Sequence, residues 1–219
     1  MTRILETTLF LFLAASFAAC QNHTAASGDV RQAAQQAAIE ESTPEMLTTD
    51  KAEGKIVKVT PDYIELDNQT VITLPVIGSD TTTIYLTVGA EKMEGKTALT
   101  ETGLAWAGHL ATVFQHTGIL QAYSDKDNGS MQTANITAQA NECELNFFKA
   151  ETSGIMMSSI IQEFKGRRVL VVVQPETASA ILAQLSGNPK LRVPEATYEN
   201  LFVILATEGG KAEIRHLLY

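Results

Sequence analysis

Five consecutive apolar residues, Val169-Leu170-Val171-Val172-Val173, follow the basic pair Arg167-Arg168. A short unbroken run of mostly β-branched residues, bounded by turn signals, reads as a strand buried in a core. Any fold for this chain has to enclose that strand. Around it the pattern is rich in strands. Residues 56–59, 63–66 and 71–74 read as three short strands parted by Pro61-Asp62 and Asp67-Asn68-Gln69, and residues 82–88 form a fourth, β-branched run. Residues 109–124 read as one long strand, Asp125-Lys126-Asp127-Asn128-Gly129 as a hairpin turn, and residues 130–140 as the returning strand. In residues 142–148, alternation places Cys143, Leu145 and Phe147 on one face. Thr152 is suited to cap a helix striped by Met156, Met157, Ile160, Ile161 and Phe164 and ending at Gly166. Pro175 opens a second helix with Ala178, Ile181, Leu182 and Leu185 inward, stopped by Gly187. Residues 201–218 close the chain as a hairpin around Glu208-Gly209-Gly210. Residues 91–108 are ambiguous. Leu99, Trp106 and Leu110 fit one helix side, but Gly103 and Gly108 would each cost a helix interior about 1 kcal/mol.

The N-terminus carries 13 uncharged residues from Thr7 to Ala19, ending Phe17-Ala18-Ala19-Cys20. As a helix this run spans about 20 Å. A bilayer core needs about 20 apolar residues, so the run reads as an export signal (residues 1–19) and not as a membrane span. Phe17-Ala18-Ala19-Cys20 resembles the lipobox of bacterial lipoprotein precursors. That resemblance implies lipid attached to Cys20, with cleavage just before it. Gln21 after the cysteine implies, by the same resemblance, the outer membrane, with the protein facing the periplasm or the cell surface. Ordinary secretion with cleavage after Ala18 or Ala19 is the alternative. Two or more acyl chains give stable anchoring where one is marginal.

Residues 20–53 read as a lipidated flexible tether. From Gln21 to Gly54 there is no aromatic residue and a net charge of −4, a composition poorly able to order itself. Val30, Ala34, Ala37 and Ile39 fit one helical face within it. The body then divides into a small β-rich region (54–108) and a larger α+β domain (109–219). The order strand–hairpin–strand–strand–helix–strand in the latter is that of an OB-fold, a small Greek-key barrel. Residues 109–173 resemble, on the Asp-Lys-Asp-Asn-Gly turn, Glu142-Cys143-Glu144-Leu145 and Gly166-Arg167-Arg168-Val169, the tRNA-anti-like OB modules of bacterial lipoproteins. The expected fold class is therefore α+β: a β-rich, OB-like small barrel with one or two helices.

No set of residues converges on catalysis. His109 and His116, seven apart, fall on opposite faces of a strand and share no metal. Counted from Asp125, the twelfth position of a calcium loop is Ile136, so that pattern fails. Cys143 reads as a small core residue, because flanking carboxylates disfavour its thiolate. Two cysteines exclude a disulfide-dense scaffold. With 16 basic against 25 acidic residues, net charge −9 argues against charge-driven binding to nucleic acid. Lys165, Arg167 and Arg168 form the one dense basic cluster and are the candidate contact for an anionic ligand, with no cofactor or metal implied. The functional expectation is a non-catalytic binding or assembly module. It would be anchored to the outer membrane through Cys20 and partnered by an envelope protein or polymer. The alternatives are a hydrolase acting on an envelope polymer, or a periplasmic inhibitor or ligand carrier. The inhibitor would present Asp125 to Asn128 as an acidic protruding loop.

Overall fold

The computed structural model describes residues 43–195, 197–210 and 212–219. The signal, Cys20 and the tether as far as residue 42 lie outside them. The expected tether is ordered from residue 43 onward: β1 (Glu45–Met46) pairs in parallel with β9 (Leu191–Arg192), and Glu53 forms an ion pair with Arg215. The three short strands that alternation predicts are present as β2 (Ile56–Val59), β3 (Tyr63–Leu66) and β4 (Val71–Thr73), and the structure pairs them as an antiparallel meander.

The centre is a six-stranded sheet in the order β11-β10-β5-β8-β6-β7. Strands β5 (Thr82–Val88), β6 (Ile119–Asp125), β7 (Glu144–Phe148) and β8 (Arg168–Val173) run parallel. Strand β10 (Asn200–Ala206) is antiparallel to β5, and β11 (Glu213–Leu218) closes a hairpin on it. Helices α1 (Glu101–Val113), α2 (Asn128–Ala140) and α3 (Ser153–Glu163) connect successive parallel strands, and α4 (Pro175–Ser186) leads out of β8. Parallel neighbours need crossovers, and crossover helices cover the sheet faces. Every residue of β8 is buried. Val169, Val171 and Val173 enter one core with residues of α3 and α4. Leu170 and Val172 enter the other with residues of α1, α2 and the meander. Each fully buried side chain of this size contributes about 1.5–3 kcal/mol.

This is a mixed α/β architecture, and the OB-like barrel expected from sequence is wrong. Residues 109–124 are the end of α1, a turn and β6. Residues 130–140 are helix, because Asp127 caps α2: its Oδ2 accepts the Gly129 and Ser130 amides at 2.7 and 3.3 Å. The Asp-Asn-Gly sequence that reads as a hairpin turn is thus a helix start. The ambiguous stretch resolves as α1. Thr100 Oγ1 accepts from Gly103 N at 2.9 Å and donates to Glu91 Oε2 at 2.7 Å. A Cβ on Gly103 would sit 2.2 Å from Glu91 O, so the glycine permits a close approach that outweighs its helix penalty. The boundary drawn between residues 108 and 109 falls inside α1, and the sheet takes strands from both sides of it. No helix among the described residues is long and apolar enough to cross a membrane.

Candidate functional site

In open sheets with parallel strands, ligands bind outside the carboxyl ends of those strands. Here the ends of β5, β6, β7 and β8 meet helices α2, α3 and α4. Gly89 follows β5, and a Cβ there would lie 2.5 Å from Ser130 N and 2.8 Å from Ser130 Cα. The backbone at the head of α2 is therefore seated on the end of the central strand, where no side chain fits.

Two carboxylates tie the loops beside it. Asp125 is 2% exposed, and its Oδ2 accepts the Gln174 amide at 2.8 Å. Asp127 Oδ2 accepts Gln174 Nε2 at 2.8 Å as well as capping α2, and its Oδ1 pairs with Lys92. Gln174 Nε2 also donates to Ser130 Oγ at 3.3 Å. These carboxylates hold β6, β8 and the loop after β5 in register. The acidic loop imagined as protruding is folded inward.

Beside this network opens a cleft of about 920 Å³, walled by the loops after β6, β7 and β8. Its rim carries Lys126, Lys149, Glu151 and Glu176, none in an ion pair among the described residues. Thr177, 6% exposed, lies in the same wall. Another hollow of about 650 Å³ runs along α4 past Pro44, Met46 and Val193; its walls are mainly apolar, with Glu176, Ser179, Arg192 and Glu195 also in its lining.

The residues singled out from sequence go elsewhere. Arg168 is 2% exposed and points inward, with Nη1 donating to Thr117 O at 2.8 Å and Nη2 to Pro61 O. Lys165 pairs with Glu208, and Arg167 is exposed at the start of β8. The three form no common surface. His109 lies in α1, stacked on Tyr219 with ring centroids 6.0 Å apart. His116 occupies the turn after α1 at φ 65°. His216 is buried in β11 against Phe202. Among the described residues, no histidine or arginine lines the cleft, and no three His, Cys, Asp or Glu side chains are grouped to hold a metal ion. Cys143 is half-buried against the core with its thiol pushed up by desolvation, whereas Phe147, expected beside it, is exposed and Phe148 is buried. The sequence conceals the cleft residues because the segments that fold as α1 and α2 carry an ambiguous or strand-like pattern. The signal that pointed to them was the buried strand running directly into Gln174-Pro175 and a helix.

No family model matches the chain, and no curated protein matches it by sequence. Solved structures do. Bacillus stearothermophilus YhfR superposes with a TM-score of 0.52 at 16% identity, covering 61% of this chain and 95% of its own. The protein histidine phosphatase SixA complexed with tungstate gives 0.52 at 12% identity, over 62% and 96%. An Escherichia coli protein assigned as an alpha-ribazole-5'-P phosphatase gives 0.50 at 13%, over 63% and 96%. At these identities the likeness concerns the fold. It overturns the OB-barrel expectation, and the non-catalytic binding or assembly module that rested on that barrel falls with it. The body of this chain has the phosphoglycerate mutase-like histidine phosphatase fold.

Proposed function

We propose that this protein is a hydrolase of anionic esters, of the phosphate monoester class, working in the cleft outside β6, β7 and β8. The observation that carries the reading is the rim itself: Lys126 and Lys149 line the same cleft as Glu151 and Glu176, none of them in an ion pair among the described residues. The class of reaction is suggested by fold-level analogy with phosphatases, one of them described with the oxyanion tungstate. The residues of the cleft dictate the route. With no imidazole among the described residues of the cleft, water is the nucleophile and a carboxylate the base. The water oxygen bonds to phosphorus and its proton passes to Glu176. The ester P–O bond breaks, and solvent protonates the departing alkoxide. Lys126 and Lys149 offset the charge gathering on the phosphoryl oxygens.

Glu176→Gln should lower kcat for p-nitrophenyl phosphate by at least about a hundredfold, with KM little changed. Absence of turnover in the unaltered chain, or an unimpaired variant, overturns the proposal.

We also propose that a lipid on Cys20 holds this enzyme at the outer membrane, with substrates in the adjoining compartment. The support is the Phe17-Ala18-Ala19-Cys20 sequence. Cys20→Ala should move the protein from the membrane pellet to the soluble fraction. Continued sedimentation after a salt wash would count against the anchor.

A further inference from the structure

Glu176, the base of the proposed reaction, stands on a wall common to three hollows. The polar cleft shares Gln174 and Glu176 with a small hollow of about 220 Å³ that also reaches Gly89, Lys92 and Tyr198. That hollow in turn shares Pro175, Glu176 and Glu195 with the apolar one of about 650 Å³ along α4. The three follow one another around the first turn of α4. The apolar member has the size of a small-molecule site, which runs roughly 300–1,000 Å³.

The walls decide what chemistry it takes. α4 turns Ala178, Ile181 and Leu182 into the core, and Glu176, Ala180 and Ala183, at i, i+4 and i+7, share the face along the hollow. The outer face of a surface helix ordinarily carries charged or polar side chains. Here it is bare: Ala180 is exposed and Ala183 half-buried. Met46, Val193 and Pro194 supply further wall, held in place by the parallel pairing of β1 with β9. Two of the polar groups are already committed. Ser179 Oγ donates to Pro175 O at 2.7 Å and accepts from Val193 N at 2.8 Å. Arg192 Nη1 donates to Pro189 O and Leu191 O, both at 2.7 Å. Among the described residues no aromatic side chain lines this hollow, so a flat ring finds nothing to stack on. The surface on offer is aliphatic.

We infer that the apolar hollow receives the alcohol portion of the substrate, and that this portion is a long aliphatic chain. The ester is then a phosphate monoester of a fatty alcohol, its phosphate in the cleft and its chain along α4. The inference rests on the hydrolase reading and names the substrate class for that same site. Glu176 and Glu195, at the junction of the hollows, disfavour alcohols that carry a further negative charge, because like charges at short range repel. Ala180 is a specificity-determining residue: a longer or charged side chain there occupies the path of the chain. Each methylene that leaves water on binding is worth about fourfold in affinity.

The test compares n-butyl and n-octyl phosphate, below the concentration at which either forms micelles, as substrates of the full chain. Phosphate release should show kcat/KM at least about tenfold higher for the octyl ester. Ala180→Glu should bring the octyl-to-butyl ratio to within about threefold of unity, and Ala180→Val should keep most of it. Met46→Ser, on a different wall, should lower the same ratio. Turnover without a chain-length gain, or a gain that survives Ala180→Glu, overturns the hollow as the alcohol site and leaves the hydrolase reading standing. Absence of turnover with every ester overturns the hydrolase reading, and calorimetric titration with the same two compounds then decides the hollow. Tighter binding of octyl phosphate that Ala180→Glu removes supports an aliphatic-chain site; equal binding of the two, or none, overturns it.

Discussion

Arg168→Ala should destabilise the folded protein by about 3–5 kcal/mol, seen as a lower urea midpoint, the largest loss expected from a single polar residue of this chain. The guanidinium at the head of β8 is 2% exposed and bonds two carbonyls from different parts of the chain. Thr117 O belongs to the turn between α1 and β6, and Pro61 O to the turn between β2 and β3. Truncation removes both donors at once, leaves the carbonyls unpaired and opens a void beside Tyr85 and Gly118. The charge itself acts on Tyr85: burial raises that hydroxyl's pKa, and Arg168 pulls it partway back. Arg168→Lys should rescue little, because one ammonium on a flexible stem does not reproduce a planar fork reaching two acceptors. A near-normal midpoint in either variant would show that the meander is held to the sheet by its apolar contacts alone.

Acidification should weaken the fold well before its carboxylates are protonated. His216 is 8% exposed in β11, stacked on Phe202 with ring centroids 4.7 Å apart, and its Nε2–H donates to Asn200 Oδ1 at 3.0 Å. Burial pushes its pKa down to about 4, against a smaller upward pull from Glu53. The unfolded chain takes up this proton near pH 6.5, so between those values the unfolded state binds more protons than the folded one. Stability tied to His216 is complete above pH 6.5, declines as pH falls, and is gone below pH 4. A difference of that size amounts to about 3 kcal/mol. Urea midpoints followed from pH 7 to pH 4 should fall for the unaltered protein and fall clearly less for His216→Gln. Parallel curves for the two proteins would remove His216 as the cause.

The sequence was legible wherever local chemistry and tertiary packing asked for the same structure. The meander strands alternate and are separated by turn residues. The run Val169–Val173 has no alternative to a buried strand. α4 begins at Pro175 and ends at Gly187, which takes φ 72° as a helix stop does. The C-terminal hairpin turns at Glu208-Gly209-Gly210 as its composition requires.

Where the sequence misled, two local structures competed and distant contacts chose between them. Asp125-Lys126-Asp127-Asn128-Gly129 suits a hairpin as well as a helix start; the Asp127 cap and its bonds to Gln174 and Lys92 favour the helix, and both partners lie far along the chain. The small polar residues of α2 suit a strand locally; Ser130 and Ala134 are buried, Ser130 against Gly89 and Ala134 in the core, where bulk would not fit. Gly103 speaks against α1 until Glu91 O is found where its side chain would have been. With those two segments strand-like or ambiguous in pattern, the alternation of strand and helix that marks a parallel sheet is hidden in the sequence, and a barrel fits its local pattern better. The cleft shares that history. Lys126, Lys149, Glu151, Glu176 and Thr177 are unremarkable in sequence; parallel pairing of β6, β7 and β8 brings their loops to one edge. Spacing along the chain fixes which residues share a strand or a helical turn. Which strand ends meet is decided by nonlocal pairing and by the burial of both sheet faces, and the site exists only there.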